Sequence, residues 1–188
     1  MRSLTIFTTS LHCFVANCVP LLIQQNVDGS KSNFFNRSWA EFRVGFNDSS
    51  GNFWLGNDLL TKLTLNGRYK LKFDLQSRSS SRLWYYAEYS TFFVLSEESN
   101  YTLHVTGYSG NAASDSLSYQ NGQMFSTYDR DNDLTSGNCA ATHGGGFWYK
   151  DCAYCAVNDA RRGSQYFTWR SLPGGNYLQS SRMWLQCK

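Results

Sequence analysis

The 188-residue chain has 17 lysines and arginines against 14 aspartates and glutamates, and 16% of its residues are aromatic. This length fits one domain, and so high an aromatic content with only 16% charged residues excludes a disordered chain. The net charge is +3 and no basic run exceeds Arg161-Arg162, so neither nucleic acid nor an anionic membrane surface is an expected partner.

The first 19 residues form an atypical N-terminal segment. Met1-Arg2 precedes an apolar stretch, but Thr, Ser and His interrupt it and no small-x-small cleavage pattern follows, so it is a weak match to a signal peptide or a truncated start. No window approaches the roughly 20 apolar residues of a membrane-spanning helix, so membrane insertion is not expected. We assign residues 20–188 to a single domain.

Two short helices are predicted next. In residues 36–46, Ser38 and Glu41 have the spacing of a capping box, and one face is aromatic. That face consists of Trp39, Phe42 and Phe46. Asn57-Asp58 is a suitable start for a second helix, because both side chains can cap a helix N-terminus. Its predicted inward side chains are Leu59, Leu60 and Leu63.

From residue 63 the hydrophobic period changes to two, which is typical of strands. Leu63 and Leu65 alternate with threonine, and Asn66-Gly67 is a common hairpin turn, so a strand, a turn and a second strand are predicted. The buried side chains of the second strand are Tyr69, Leu71, Phe73 and Leu75. Alternating runs at 86–94 and 101–105 extend an antiparallel sheet with one buried and one solvated face.

Beyond residue 106, loops dominate and one of them is acidic. Asp129, Asp131 and Asp133 alternate before a glycine-containing turn, and calcium prefers such clusters of oxygen ligands. The loop is not an EF-hand, because Leu134 and Ala140 occupy the positions where that motif needs Gly and Glu. A solvated acidic turn is the alternative reading of the three acids alone.

Six cysteines, an even number, can form three disulfides in an oxidising compartment. Cys139 and Cys152 are placed to close a loop of about a dozen residues. The Cys152-x-x-Cys155 spacing is interpreted as structural, because no second Cys/His pair at zinc spacing accompanies it. Cys187 could bridge to Cys155 or to another chain, and Cys13 and Cys18 are unassigned.

Three N-glycosylation triplets favour secretion; they begin at Asn36, Asn47 and Asn100.

Catalysis is not expected. His12, His104 and His143 lie in unrelated contexts without a nucleophile motif beside them. The glycines at 144–146 lack the Lys-Ser/Thr ending of a phosphate loop. These glycines are expected to let neighbouring aromatic residues pack closely. We therefore predict that the protein is not an enzyme.

Seven ordered blocks resemble the fibrinogen-related domain family of ficolins, tachylectins, tenascin C-termini and angiopoietins. The blocks are VDGSKSNFFNRSWAEFRVGF, FWLGNDLLTKLT, YAEYSTFFV, YTLHVTGYSG, DSLSYQNGQMFSTYDRDND, GNCA and GGGFWYKDC. The resemblance covers residues 20–188. It implies an α+β fold, with an antiparallel sheet, short helices and a loop-rich C-terminal half that is stabilised by calcium and a disulfide.

The resemblance also implies particular site residues. The calcium ligands would be the side chains of Asp131 and Asp133 and the carbonyl oxygens of Thr135 and Gly137, and Cys139 would pair with Cys152. A cis peptide bond between Asp151 and Cys152 would shape a pocket for acetylated sugars. The expected ligand-binding residues are His143, Trp148, Tyr149, Asp151, Cys152, Ala153, Tyr154 and Tyr166.

The chain departs from the family pattern in three places. Residues 1–19 do not resemble the family's opening segment. Ala153 replaces a histidine that lectin members commonly carry, and the stretch from Cys152 to Trp169 is shorter than theirs. Tyr154 or Tyr166 is expected to replace the aromatic wall that this stretch normally supplies.

A pocket of the fibrin type is disfavoured. Thr142, His143 and Ala153 do not match the polar and acidic residues that the fibrinogen chains use there.

The expected function is recognition in the extracellular space. The leading hypothesis is a secreted, calcium-dependent module that binds acetylated glycans in innate defence, as one arm of a homo-oligomer. The alternative is a protein-binding module of the tenascin or angiopoietin type, with adhesive or receptor-ligand activity, and the altered pocket favours it. Ca²⁺ is the expected cofactor under either hypothesis.

Overall fold

The computed structural model describes residues 19–28, 33–159 and 167–188. Strands β1 to β9 span Leu21–Asn26, Phe46–Asn47, Phe53–Trp54, Tyr69–Ser77, Trp84–Val94, Leu103–Gly110, Cys155–Ala156, Thr168–Trp169 and Leu178–Cys187. Helices α1, α2 and α3 span Trp39–Val44, Asn57–Thr64 and Cys139–His143, and 3₁₀ turns lie at Glu97–Ser99 and Ser118–Gln120.

Seven of the strands form one antiparallel sheet in the order β2-β3-β1-β9-β4-β5-β6. The last strand of the chain, β9, lies in its middle and pairs with both β1 and β4. Strands β7 and β8 form a separate two-stranded ribbon. The predicted α+β class, an antiparallel sheet with short helices, is confirmed.

The period-two pattern of β4 decides which sheet face is buried. Leu71, Phe73 and Leu75 are completely buried, while Lys72 and Asp74 between them are partly exposed. Alternate side chains of a strand point to opposite faces, so these three residues place the core on one side only. Loops and helices cover that side, and the core they complete is unusually aromatic.

The region before β4 differs from the expectation. A strand over Leu63 and Leu65 was predicted, but α2 continues to Thr64, and the prediction of a hairpin at Asn66-Gly67 is wrong. The hydroxyl of Thr64 donates to the carbonyl of Leu60 and accepts a hydrogen bond from the amide of Val94 in β5. This contact with a distant strand favours the helix, and local periodicity cannot reveal it.

The capping box of α1 is present as predicted. The Ser38 hydroxyl accepts a hydrogen bond from the Glu41 amide, and the Glu41 carboxylate accepts one from the Ser38 amide. Trp39 and Phe42 are buried, whereas Phe46 belongs to β2 and not to the helix. The backbone hydrogen bond from Ser38 is the main cause that holds the pKa of Glu41 below its usual value.

The inward face of α2 is more polar than predicted. Leu60 is buried and Leu63 is half-buried, but Leu59 is 44% exposed, so its assignment to the core is wrong. The helix starts after Gly56, which adopts φ 103°, and no side chain caps its N-terminus. The remaining buried residues of the helix are Asn57, Thr61 and Thr64.

None of the helices in the described ranges is long and apolar enough to cross a membrane.

Replacing the N-cap tests the α1 assignment. We expect Ser38→Ala to lower the free energy of unfolding by about 1 kcal/mol, since it removes one partner of the capping box. Urea denaturation followed by tryptophan fluorescence measures this change.

The stabilisation that Glu41 provides should depend on pH. Because the folded-state pKa of Glu41 is lowered, its contribution to the free energy of unfolding is present above the ordinary glutamate pKa and is lost as the pH falls through the lowered value.

The matched control is Ser49→Ala, at an exposed residue outside any helix. Equal destabilisation by both substitutions would contradict the capping argument.

Candidate ligand pocket and acidic loop

The acidic loop of residues 129–137 is organised by its own carboxylates. One oxygen of Asp131 accepts a hydrogen bond from the Asp133 amide at 3.2 Å. One oxygen of Asp133 accepts from the amide and the hydroxyl of Thr135, at 2.9 and 2.8 Å. The Thr135 hydroxyl also contacts the carbonyl oxygen of Gly137. The four residues expected to bind calcium therefore lie within one tightly bonded turn.

Asp129, the first acid of the run, has a different partner. Its carboxylate accepts hydrogen bonds from the Trp39 amide at the start of α1 and from the Thr127 hydroxyl, at 2.9 and 2.7 Å. Beside it, the Arg130 guanidinium lies 4.0 Å from the centre of the Trp39 ring. Asp129 thus joins the acidic loop to α1, a role that the alternation of acids in the sequence does not indicate.

The residues of the loop fit a hard cation. Burial, and then the adjacent Asp133 carboxylate, raise the pKa of Asp131, and no lysine or arginine of the described ranges forms an ion pair with either acid. Two such carboxylates with carbonyl oxygens nearby match the ligand chemistry of calcium. The described part of the chain contains no cluster of three or more His, Cys, Asp or Glu side chains that could hold a metal. A cation in the acidic loop would therefore also need carbonyl oxygens and water as ligands.

Helix α3 connects the acidic loop to a surface cavity. The second oxygen of Asp133 accepts a hydrogen bond from the Cys139 amide at 2.8 Å, and Asn138 caps the helix. Cys139 forms a disulfide with Cys152, as the family resemblance implied. The other end of the helix is His143, which lines the cavity. Helix α3 and the Cys139–Cys152 disulfide therefore connect the acidic loop to the cavity.

The cavity has a volume of about 400 Å³ and lies between α3, the segment after Cys152, and the turn that leads into β9. Of the expected ligand-binding residues, the structure brings together His143, Ala153 and Tyr154 here. The imidazole Nδ1 of His143 lies 3.4 Å from a carboxylate oxygen of the buried Asp159. The other lining residues are Thr168, Arg170, Asn176 and Tyr177.

One wall of the cavity is an aromatic stack. The rings of Tyr119 and Tyr154 lie 3.8 Å apart and nearly parallel, with an angle of 7° between their planes. The Arg170 guanidinium lies 4.0 Å from the Tyr154 ring centre, and the Lys150 ammonium lies 5.0 Å from that of Tyr119. Tyr119 and Arg170 thus cover the two faces of the Tyr154 ring, so its edge lines the cavity with a positive charge beside it.

Other predicted residues lie elsewhere. Trp148 and Tyr149 are completely buried in the core behind the cavity, where the Tyr149 ring lies 5.2 Å from that of His143. Asp151 is exposed, and its carbonyl accepts a hydrogen bond from the Tyr119 hydroxyl. Tyr166 and residues 1–18, including Cys13 and Cys18, lie outside the described ranges.

The peptide bond between Asp151 and Cys152 is trans, so the prediction of a cis bond there is wrong. Trans is the lower-energy form of a non-proline peptide bond.

Sequence reasoning missed four lining residues: Thr168, Arg170, Asn176 and Tyr177. They lie in β8 and in the turn that follows it. In this turn the Asn176 side chain accepts a hydrogen bond from the Ser171 amide. The segment carries Pro173-Gly174-Gly175-Asn176, a clear turn signal. Nothing in that signal indicates which cavity the turn faces, because its partners lie in distant segments.

A buried polar network supports the cavity from behind. The Gln24 side chain of β1 donates to the Val157 carbonyl, the Asn158 side chain and the Ser181 hydroxyl of β9. Asn158 in turn donates to the Gly146 carbonyl at 2.9 Å. The glycine run at 144–146 is required by close approach, because a Cβ on Gly145 would collide with the backbone carbonyl of Asn158.

Cys155 carries a free thiol and Cys187 is disulfide-bonded, so a bridge between these two residues is wrong. Cys155 is completely buried within β7, where its amide donates to the Gln120 side chain. Burial, and then the charge of Asp115, raise the pKa of the Cys155 thiol well above its usual value.

We therefore expect Cys155 to resist iodoacetamide at neutral pH in the folded protein, because the reactive species is an accessible thiolate. Peptide mass spectrometry should find it unlabelled in native conditions and labelled after denaturation. Labelling of Cys155 at the same rate in both conditions would contradict its burial.

Comparison with known proteins identifies the family. The family described as "Fibrinogen beta and gamma chains, C-terminal globular domain" matches residues 15–186. Tenascin of Mus musculus is 42% identical over 142 residues, which cover 72% of this chain and 6% of tenascin. Ficolin-3 of Homo sapiens is 36% identical over 173 residues, which cover 88% of this chain and 56% of ficolin-3.

A solved structure agrees with this match. The fibrinogen-like globe domain of human ANGPTL2 superimposes with a TM-score of 0.77 at 35% identity, over 88% of this chain and 79% of that one. The chain belongs to the fibrinogen C-terminal domain family. It spans less than two thirds of the length of the two curated relatives.

Proposed function

We propose that this protein is an extracellular recognition module whose pocket binds acetylated glycans and whose adjacent loop binds calcium. The observation that carries the proposal is the cavity of about 400 Å³ beside the Cys139–Cys152 disulfide, with an aromatic wall and several polar side chains. Its size falls within the usual range of small-ligand pockets, roughly 300–1,000 Å³.

The lining has the chemistry that an acetylated sugar needs. Ala153 and the exposed edge of the Tyr154 ring offer apolar surface to an acetyl methyl group. Thr168 and Asn176 supply hydroxyl and amide groups that exchange hydrogen bonds with sugar hydroxyls. Tyr154 supplies the aromatic part of the wall.

Calcium would act indirectly in this proposal. Asp131 and Asp133 would supply carboxylate oxygens, and Thr135 and Gly137 carbonyl oxygens. Asp133 also accepts a hydrogen bond from the first amide of α3, whose last residue is His143. Fixing Asp133 would therefore fix the helix that carries one pocket wall, without requiring the metal to touch the ligand.

The setting of the proposal is the extracellular space. A disulfide persists in oxidising compartments, which supports secretion. We also propose that the protein forms a homo-oligomer and acts in innate defence.

The second candidate function is protein binding, either as an adhesive module or as the ligand of a receptor. Two observations favour it: the similarity to tenascin, and the alanine at position 153 in the pocket. In this case the partner would be an extracellular protein, and acetylated sugars would not compete with it.

The calcium proposal predicts the behaviour of a double variant. Asp131→Ala/Asp133→Ala should abolish calcium binding in calorimetric titration, since it removes both carboxylate ligands. Asp129→Ala is the matched control, because this neighbouring carboxylate faces α1, and it should keep one calcium site. Unchanged titration of the double variant would refute the assignment.

The glycan proposal predicts retention on an N-acetylglucosamine column in calcium and elution by free acetylated compounds. Tyr154→Ala should weaken retention, because it removes the stacked wall of the pocket. Tyr86→Ala, at an exposed tyrosine on the solvated sheet face, should not. Absence of retention of the calcium-loaded protein would exclude the glycan reading and leave the protein-binding one.

A further inference from the structure

A second cavity lies next to the pocket and shares one wall with it. Its volume is about 290 Å³, and its lining residues are Arg78, Ser79, Gly174, Gly175 and Tyr177. The 45% exposed Tyr177 also lines the principal pocket, so this side chain stands between the two cavities. A ligand that passes over Tyr177 would reach both.

The turn that carries Arg78 is held in place by hydrogen bonds. The Arg78 amide donates to the Tyr177 carbonyl at 3.0 Å, and the Arg82 amide donates to the Ser79 carbonyl at 3.0 Å. The hydroxyls of Ser77, Ser79 and Ser81 form a chain with spacings of 3.0 and 2.9 Å. The β4–β5 turn therefore presents a formed cavity wall to the turn before β9.

Two glycines line the second cavity and add no side chains to it. A Cβ on Gly174 would lie 3.6 Å from the Ser79 hydroxyl, and Gly174 adopts φ 84°, a conformation that favours glycine. The neighbouring Gly175 adopts φ 123°.

The charge of the two cavities has one sign. No aspartate or glutamate of the described ranges lines either cavity, while Arg78 lines one and Arg170 the other. Neither arginine forms an ion pair with a carboxylate in that part of the chain. Guanidinium groups pair with carboxylate and sulfate oxygens through parallel hydrogen bonds, and serine hydroxyls add donors.

We propose that the cavity at Arg78 is a second subsite, which binds the carboxylate or sulfate group of an acidic sugar adjacent to the sugar in the principal pocket. This inference rests on the proposed glycan-binding function and names its ligand class as acidic, acetylated oligosaccharides. We favour an acidic sugar over an acidic peptide, because the hydroxyl and amide groups of Ser79, Thr168 and Asn176 match the many hydroxyl groups of a sugar.

The test uses short oligosaccharides, so that the charge of a long polyanion does not dominate. Calorimetry in calcium would compare three tetrasaccharides: neutral chitotetraose, a carboxylated hyaluronan fragment and a sulfated chondroitin fragment. We expect at least one acidic fragment to bind about fivefold more tightly than chitotetraose, with an advantage that falls at high salt. Comparison of the two acidic fragments identifies carboxylate or sulfate as the recognised group.

Arg78→Ala should remove this advantage and leave chitotetraose binding unchanged. The matched control is Arg68→Ala, which removes an exposed arginine just before the other end of β4, roughly 30 Å away. Thermal denaturation should show that both variants remain folded, since both side chains are exposed.

Each outcome decides between the hypotheses. Equal affinity for acidic and neutral fragments, equal effects of the two arginine variants, or no binding of any fragment would overturn the second subsite. Tighter binding of an acidic tetrapeptide than of the acidic sugars would overturn it too. Binding of an acidic fragment that depends on Arg78, without any binding of chitotetraose, would keep the subsite and refute the acetyl pocket.

Discussion

The pairing of β9 with both β1 and β4 organises the main sheet and positions both cavities. The final strand joins residues 21–26 to residues 69–77, so the sheet is not continuous until the end of the chain is in place. The same pairing draws the preceding turn onto the end of β4, where the Arg78 amide bonds to Tyr177. Both cavities therefore depend on a contact between residues about a hundred positions apart. Such non-local pairing generally slows folding.

The acidic loop and the principal pocket are supported as one unit. Asp129 reaches back to α1, Asp133 reaches forward to α3, and the Cys139–Cys152 disulfide closes the loop beside the pocket. In a segment with little regular structure, these contacts replace a ladder of backbone hydrogen bonds. Asp129 and Asp133 therefore have separate partners, although both belong to one run of acids in the sequence. A cation at this position would strengthen a connection that hydrogen bonds already make.

The charges around the cavities would allow a weakly basic chain to select acidic ligands, as proposed above. A net charge of +3 gives no strong field over the molecule. Selectivity would arise locally, because Arg78 and Arg170 lie in cavities without lining carboxylates in the described ranges. Tyr154 holds Arg170 by a cation–π contact and leaves its charge uncompensated. Recognition would then require both the shape of the two cavities and an acidic group at the correct spacing.

Patterns among neighbouring residues were sufficient to predict several elements. These include the capping box of Ser38 and Glu41, the alternation of β4 and the acidic loop, while the ordered resemblance supplied the family and the Cys139–Cys152 pair. Contacts visible only in the folded chain extend α2 through Thr64, connect Asp129 to α1 and place Trp148 behind the pocket. Their partners are distant in the chain, and local pattern carries no information about which distant segments meet.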